Sequence, residues 1–210
     1  MKILAIGANG VVGKAVVDLL SEEHEVIAVG YSRGEITVDT ESQESIRSLF
    51  EKVGMIDAIM SMAGNGQMGS LEEMPDSGYQ SVLNSKVMGQ VNLLRIGLEY
   101  LNQGGSITLT SGQASNNPAP GMAAIAMATA AVNAFVGAAA LELKDDKRIN
   151  AVSPGFVKET MEMLGMDSTY GIPADDVATY YKASVAGQGN GEVFNAIKGK
   201  YEYPALASGK

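Results

Sequence analysis

Three glycines at three-residue spacing follow the first apolar segment of the chain. Ile3–Ile6 predict a short buried strand that stops at Gly7, and Gly10 and Gly13 follow as a helix begins. Gly7 permits a sharp turn, Gly10 removes a side chain where a backbone must approach phosphate, and Gly13 lets the helix pack on the strand. The free amides and dipole of the helix start attract anions. The segment predicts a nucleotide-binding βα turn, an ordinary glycine turn being the alternative. Its predicted cofactor-binding residues are Gly7, Asn9, Gly10, Val11, Val12 and Gly13.

Composition limits what else the chain can be. Its 210 residues are enough for one α/β domain, which we predict to comprise residues 1–210. A composition of 46% hydrophobic and 19% charged residues is usual for a soluble fold. No apolar run approaches the ~20 residues that span a bilayer, and Met1-Lys2 leads straight into the first strand without a signal-peptide layout. The net charge of −9 argues against nucleic acid or an anionic membrane as partner. We therefore expect a cytoplasmic protein.

Cysteine and histidine usage excludes several kinds of chemistry. The chain has no cysteine, so it has no disulfide, no catalytic thiolate and no thiolate metal site. Its single histidine, His24, lies between the first helix and the second strand, at the amino edge of the predicted sheet. Ligands of open parallel sheets bind at the opposite, carboxyl edge. A Ser-His-Asp hydrolase and a histidine-based zinc site are excluded, and we predict no metal site.

Strand and helix patterns alternate along the rest of the chain. Thr40 with Gln43 three residues later matches a capping box before a helix with apolar residues at helical spacing. The alternation implies right-handed crossovers and predicts an α/β fold, a Rossmann-type doubly wound parallel sheet flanked by helices in three α/β/α layers. The further predicted strands are residues 25–30, 35–39, 57–64, 106–110, 149–155 and 191–196, and the further predicted helices are residues 41–53, 76–101 and 121–143.

Several separated motifs resemble the short-chain dehydrogenase/reductase family over nearly the whole chain. Besides the glycine turn, they are Asp39 after the third strand, Ser61–Gly64, Thr110–Gly112 and Ala151–Val157. The resemblance implies a nicotinamide dinucleotide cofactor and a small-molecule substrate. It implies adenine contacts from Asp39 and Thr40, although Asp39 has the alternative role of serving only the helix start. The remaining cofactor-binding residues that it implies are Ala63, Gly64, Pro154 and Gly155.

The chain departs from the family where the catalytic tyrosine and lysine are expected. The family's YxxxK motif precedes Ala-Ala-Val, and here Ile125 and Thr129 occupy the two positions. A tyrosine donates a proton to the carbonyl, and a nearby ammonium lowers the pKa of that tyrosine. Neither Ile125 nor Thr129 can perform these tasks. The sequence keeps the nucleotide-binding turn but lacks the family's usual acid.

Two residues remain as candidates for catalysis. Ser111 matches, within one residue, the family serine that hydrogen-bonds the substrate carbonyl, its alternative being a local cap or turn residue. Lys86 takes the place of the family's active-site asparagine when Gly89 is aligned with the family glycine. A lysine there replaces the missing lysine, or acts as an acid if desolvation lowers its pKa. The alternative for Lys86 is a solvated charge on a helix surface.

The end of the second strand favours NADP over NAD. NAD-binding proteins place Asp or Glu about 20 residues after the glycines to bind the ribose 2′-hydroxyl. Here the segment reads Gly30-Tyr31-Ser32-Arg33, without an acid. Ser32 and Arg33 suit a 2′-phosphate, Arg33 through a charge-assisted hydrogen bond. An ordinary surface loop is the alternative.

Two further segments bear on substrate and assembly. Residues 154–173 correspond to the family's substrate lid and are rich in methionine, which suits an apolar substrate but is also a common core residue. The helix near residues 123–140 has a face of small residues. Family members commonly associate through this helix and the long helix before it, so we expect a homodimer or homotetramer. Packing of this helix on its own sheet alone is the alternative.

Two functions follow from these features. The first is an NADP(H)-dependent oxidoreductase acting on the carbonyl or alcohol of a small apolar substrate, with Ser111 orienting the carbonyl and Lys86 or water supplying the proton. The second is a catalytically inactive NADP(H)-binding sensor or scaffold protein. The loss of both tyrosine and lysine favours the second function, whereas Ser111, the nucleotide-binding turn and the apolar lid favour the first.

Overall fold

A computed structural model describes residues 1–198, and they form a seven-stranded parallel sheet between two layers of helices. The strand order is β3-β2-β1-β4-β5-β6-β7. The strands are β1 (Lys2–Ile6), β2 (Glu25–Gly30), β3 (Ile36–Thr37), β4 (Ile56–Ser61), β5 (Leu101–Thr110), β6 (Arg148–Pro154) and β7 (Val193–Ala196). The order reverses between β1 and β4, so their carboxyl ends flank the crevice in which such sheets bind ligands. The predicted doubly wound α/β fold is confirmed.

Two apolar cores, one on each face of the sheet, hold the helices in place. The helices are α1 (Val11–Ser21), α2 (Gln43–Val53), α3 (Asp76–Val82), α4 (Gly89–Gly97), α5 (Ala123–Ala140), α6 (Lys158–Met163) and α7 (Ala174–Ala186). One core joins α2, α4 and α5 to the sheet through residues such as Phe50, Leu93 and Val132. The other joins α1 and α7 through residues such as Val16 and Tyr181. Such burial of apolar side chains is the main stabilising contribution to the fold.

A π-helical segment, Leu83–Met88, lies between α3 and α4. The sequence pattern predicted one continuous helix over residues 76–101, and the structure divides it into α3, this wider segment and α4. The helix ends at Gly97, and β5 begins at Leu101, five residues before its predicted start. π-helical turns are rare and are often found at functional sites.

The cap of α2 differs from the predicted one. The capping-box prediction placed Thr40 at the helix start, but α2 begins at Gln43, and the Ser42 side chain accepts a hydrogen bond from Ser45 N. The Thr40 prediction was wrong because Ser42, two residues later, provides the same hydroxyl at the true helix start. His24 lies in the loop between α1 and β2, at the predicted amino edge of the sheet.

Helix α5 corrects the expectation that no apolar run approaches the length of a membrane span. By length and composition alone, Ala123–Ala140 is long and apolar enough to cross a bilayer. Core helices of soluble proteins pass the same test. Here one side of α5 packs on the sheet through Val132 and Val136, which are fully or almost fully buried.

Candidate functional site

A cavity of about 420 Å³ opens where the carboxyl ends of β1, β2 and β4 meet. It is the crevice expected at the point where the strand order reverses. Nine of the predicted cofactor-binding residues line it: Gly7, Asn9, Gly10, Ser32, Arg33, Asp39, Thr40, Ala63 and Gly64. Gly30 and Ser85, which the sequence analysis did not select, line it as well. Three predicted residues, Val11, Val12 and Gly13, lie beside it in α1 without lining it.

The glycine turn is as close-packed as its sequence pattern predicts. Gly7 has a φ of 85°, and a Cβ there would lie 2.8 Å from Ala63 N. A Cβ on Gly13 would lie 2.0 Å from Gly7 O, so only glycine lets α1 approach β1 this closely. No side chain caps α1, and its first turn carries no acidic residue. The first N–H groups of α1 therefore have no side-chain acceptor, and a helix start of this kind next to the cavity suits the pyrophosphate of a dinucleotide.

The loop after β2 is tied to the glycine turn. Asn9 Nδ2 donates a hydrogen bond of 2.6 Å to Arg33 O. Position 30 accepts only glycine, because a Cβ on Gly30 would lie 2.0 Å from Arg33 O in the same loop. Arg33 is exposed at the cavity, and among residues 1–198 its guanidinium forms no ion pair. A free cation at this position suits a phosphate group.

Asp39 and Thr40, which follow β3, also line the cavity. Asp39 Oδ1 accepts a hydrogen bond from Glu41 N at 2.9 Å, and Asp39 N donates to Ser45 Oγ at 3.0 Å. Asp39 thus helps to order the start of α2 and also lines the cavity. Glu41 lines the cavity as well, and the sequence analysis did not select it.

A second cavity, of about 220 Å³, is lined by Lys86 of the π-helical segment and by residues that follow β5 and β6. Ser85 lines the first cavity and Lys86 the second, so consecutive residues border both. Most of the second cavity is apolar. Its lining includes Ser111, Met122, Ile125, Thr129, Pro154, Gly155 and Phe156. Pro154 and Gly155, predicted as cofactor-binding residues, lie here rather than in the first cavity.

Lys86 faces the second cavity and is not a solvated surface charge. Lys86 is half-buried, and its ammonium group forms no ion pair among the residues that the structure describes. Burial lowers the pKa of Lys86 from 10.5 to about 8, because desolvation disfavours the charged form. A group with this pKa can exchange a proton near neutral pH.

Ser111 lines the same cavity as Lys86 and directly follows β5. It is almost fully buried, and its Oγ donates a hydrogen bond of 3.1 Å to Thr129 O. A substrate carbonyl would compete with Thr129 O for this proton. Ile125 and Thr129 both line the cavity, and Thr129 Oγ1 donates a hydrogen bond to Ala126 O. In the described part of the chain, no tyrosine lines this cavity.

The predicted methionine-rich lid contributes less than expected. Of the predicted lid, residues 154–173, only its first three residues, Pro154, Gly155 and Phe156, line the second cavity, and none of them is a methionine. Met161 is the buried residue of α6, whereas Met163, at the end of the same helix, is 77% exposed. The segment is held to itself by a bridge between Val157 and Ile172. The methionine that does line the cavity is Met122, which precedes α5. None of the methionines of the predicted lid is in the lining.

Two buried glutamines near the second cavity were missed by the sequence analysis. Gln113 Nε2 donates to Ser153 O at 3.0 Å and to Asn195 Oδ1 at 2.6 Å, which ties the end of β5 to β6 and β7. Gln90, in α4, is 1% exposed and contacts both Lys86 and Thr110. Long polar side chains are seldom buried without a structural or functional reason.

No group of three or more metal-ligating side chains is found within residues 1–198. Tyr181, the largest fully buried side chain of α7, hydrogen-bonds Thr110 Oγ1. Desolvation raises the pKa of Tyr181 above its ordinary value, and the residue packs in the core formed by α1 and α7. Its hydroxyl is therefore a structural group of that core.

Comparison with known sequences agrees with the fold and the cavities. The family described as enoyl-(acyl carrier protein) reductase matches residues 3–186. The short-chain dehydrogenase/reductase ATR9 of Stachybotrys chlorohalonatus is 34% identical over 143 residues, which are 63% of this chain and 55% of that protein. Versicolorin reductase 1 of Dothistroma septosporum is 29% identical over 74% of this chain and 62% of that protein. The chain thus spans only part of the length of these relatives.

Solved structures match over more of the chain. The protein lin1944 from Listeria innocua has a TM-score of 0.89 and 38% identity, covering 93% of this chain and 98% of that one. A small-chain dehydrogenase in complex with NADPH has a TM-score of 0.83 and 25% identity, covering 94% and 96%. The family match, the sheet order and the glycine-lined crevice agree. This chain belongs to the short-chain dehydrogenase/reductase family, whose members are oxidoreductases that bind nicotinamide cofactors.

Proposed function

We propose that the protein is an NADP(H)-dependent oxidoreductase that interconverts a carbonyl and an alcohol on a small, mostly apolar substrate. The observation that carries this proposal is that consecutive residues, Ser85 and Lys86, line the two cavities. One cavity suits a dinucleotide, and the other is a small apolar space with one proton-exchanging group. Such a combination suits chemistry on a substrate held beside the cofactor.

The residues present fit the cofactor. Gly7 and Gly10 leave the backbone open at the start of α1, and Arg33 suits the 2′-phosphate. The cofactor supplies hydride exchange when it is bound. Lys86 donates the proton to the carbonyl oxygen, Ser111 orients that oxygen, and Met122 with Phe156 limits access of water. The NADPH complex of a related small-chain dehydrogenase supports the choice of cofactor.

A direct test is NADPH oxidation by the purified protein in the presence of a panel of small apolar ketones and aldehydes. Turnover with at least one member is expected. Tight binding of NADPH without turnover on any member would instead favour the second candidate, a catalytically inactive sensor or scaffold. That candidate is supported by Ile125 and Thr129, which line the second cavity where the family's tyrosine and lysine are expected.

Arg33→Ala is expected to weaken NADPH binding by roughly 10- to 150-fold and to leave NADH binding nearly unchanged. The lost contact is a charge-assisted hydrogen bond, worth about 1.5–3 kcal/mol, to a phosphate that NADH lacks. Fluorescence titration of both nucleotides measures the effect. Arg47→Ala is the matched control, because Arg47 is exposed on α2 and does not line the cavity. Equal affinity of the parent protein for NADPH and NADH would refute the NADP assignment.

We propose that the protein forms a homodimer or homotetramer through α5. Exposed residues recur along this helix at spacings of four and three, forming an apolar stripe without charge: Ala123, Met127, Ala130, Ala134, Gly137 and Leu141. Small residues let a second helix approach closely, and C2 symmetry would pair this face with itself. The bare apolar face supports association, because the opposite side of α5 is already packed on the sheet.

Ala134→Glu is expected to convert the assembly to monomers, since the charge would be buried at the centre of the stripe. Light scattering after size-exclusion chromatography measures the mass. Ser48→Glu is the control, because it adds the same charge at an exposed position of α2. A parent protein that is already monomeric would contradict the proposal.

A further inference from the structure

Gln90 links the helix that carries Lys86 to the strand that precedes Ser111. Its Nε2 donates to Lys86 O at 2.7 Å and to Thr110 O at 2.9 Å, and its Oε1 accepts from Thr110 N at 2.7 Å. The residue is 1% exposed, so these three bonds are shielded from water. A buried amide with this many good partners fixes the groups that it joins.

The sheet explains why an amide is needed at this position. Strand β4 pairs with β5 as far as Met60 opposite Thr108, and it ends at Ser61. Thr110 on β5 therefore extends past the end of its neighbour on that side, with both its N–H and its C=O unpaired by β4. The Gln90 side chain supplies one acceptor and one donor, as a further residue of β4 would. Without it, two buried backbone groups would lack partners.

The helix gives the amide its second role. Lys86 belongs to the π-helical segment, whose turns contain an extra residue. Return of this segment to α-helical geometry would move later residues by one position, a rotation of about 100° around the helix axis. The bond from Gln90 Nε2 to Lys86 O holds the backbone of the widened turn against Thr110. Ser111 follows Thr110 directly, so one side chain fixes the backbones of both candidate catalytic residues.

We propose that Gln90 is a positioning residue that keeps the Lys86 ammonium group in the second cavity, which Ser111 also lines. This proposal rests on the proposed function, in which Lys86 donates a proton to the substrate. The arrangement itself can be measured without turnover, because it determines how strongly Lys86 is shielded from water.

The test is an NMR titration of the full-length protein with ¹³C-labelled lysine side chains, the Lys86 signal being assigned by its absence from Lys86→Met. The parent pKa of Lys86 is about 8. Gln90→Met has a side chain of similar length that cannot form the three bonds. It is expected to raise the pKa of Lys86 by at least about one pH unit, because the ammonium regains water.

Leu93→Ala is the matched control. Leu93 is fully buried on α4, so its truncation destabilises the same helix without touching the amide. An unchanged Lys86 titration in Gln90→Met, or the same change in Leu93→Ala, would overturn the positioning role. If Gln90→Met does not fold, Gln90→Asn replaces it: its amide is one methylene too short to reach Lys86 and Thr110 together, and the same rise is expected. Lack of turnover by the parent protein would refute the proposed function alone, since the titration needs no substrate.

Discussion

Lys86→Met is expected to lower the rate of NADPH-dependent carbonyl reduction by about 10²- to 10⁴-fold, the usual contribution of a general acid. Methionine nearly matches lysine in length and apolar volume, so the second cavity keeps its shape while losing its proton donor. Steady-state kinetics with a substrate found in the panel measures the change. Lys52→Met, an exposed lysine in the last turn of α2, is the matched control. Activity in Lys86→Met within threefold of the parent would show that another group gives the proton.

The pH dependence of the parent protein follows from the same residue. Lys86 donates a proton only when it is protonated, and burial lowers its pKa to about 8. The value of kcat/KM for reduction should therefore be constant below about pH 8 and fall about tenfold per pH unit above it. Lys86→Met should lack this fall. A parent profile that stays flat well above pH 8 would contradict the assignment of Lys86 as the acid.

The substitution that removes activity is also expected to stabilise the protein. The pKa of Lys86 is lowered from 10.5 to about 8, so the charged form is destabilised in the folded state. With allowance for partial contact with water, Lys86→Met should raise the free energy of unfolding at pH 7 by about 1–3 kcal/mol. Lys86 binds its proton less tightly in the folded state than in the unfolded state. The difference in unfolding free energy between Lys86→Met and the parent is therefore greatest below pH 8, and it disappears as the pH rises from 8 to about 10.5.

Urea unfolding of the parent and Lys86→Met without nucleotide, at pH 7 and near pH 10, measures this difference. A destabilised Lys86→Met at pH 7 would mean that the ammonium has a favourable partner when the protein is folded. The expected opposition of stability and activity is typical of functional groups held in unfavourable surroundings.

The parts of the fold that depend on local pattern could be predicted from the sequence. Strand β2 has the predicted bounds, Glu25–Gly30, because an apolar run ends at a glycine that packing requires. The third strand was predicted over residues 35–39, but β3 covers only Ile36–Thr37, since this edge strand has a neighbour on one side alone. Helix α7 was missed, although Pro173 before it and Asp175 in its first turn are ordinary helix-start signals.

The site depends more on contacts between distant residues. Lys86 was selected only because it replaced an asparagine of the family, and its place in the second cavity depends on the π-helical segment. Nothing in the helical spacing distinguishes that segment, because one extra residue in a turn leaves the composition unchanged. The role of Gln90 requires Thr110, twenty residues later, to pass the end of β4. Such an arrangement is determined by strand register, which a single sequence does not specify.

The glycine turn gives the prediction in which nucleotide binding and folding separate most clearly. Gly10→Val is expected to weaken the binding of both NADPH and NADH by at least about 100-fold while the protein remains folded. Gly10 has a φ of −77° and a ψ of 171°, which any residue adopts. The nearest atom to a Cβ there is Gly7 O at 3.3 Å, so the added side chain would mainly fill the space needed by the pyrophosphate.

Gly13→Val is the contrasting variant, because its Cβ would lie 2.0 Å from Gly7 O and would force α1 away from β1. It is expected to destabilise the fold itself, with a lower midpoint of thermal unfolding than Gly10→Val. Nucleotide titration and thermal unfolding of the two variants separate the effects. If Gly10→Val binds NADPH within tenfold of the parent, the pyrophosphate does not lie against Gly10, and the 420 Å³ cavity binds the nucleotide in another orientation or not at all.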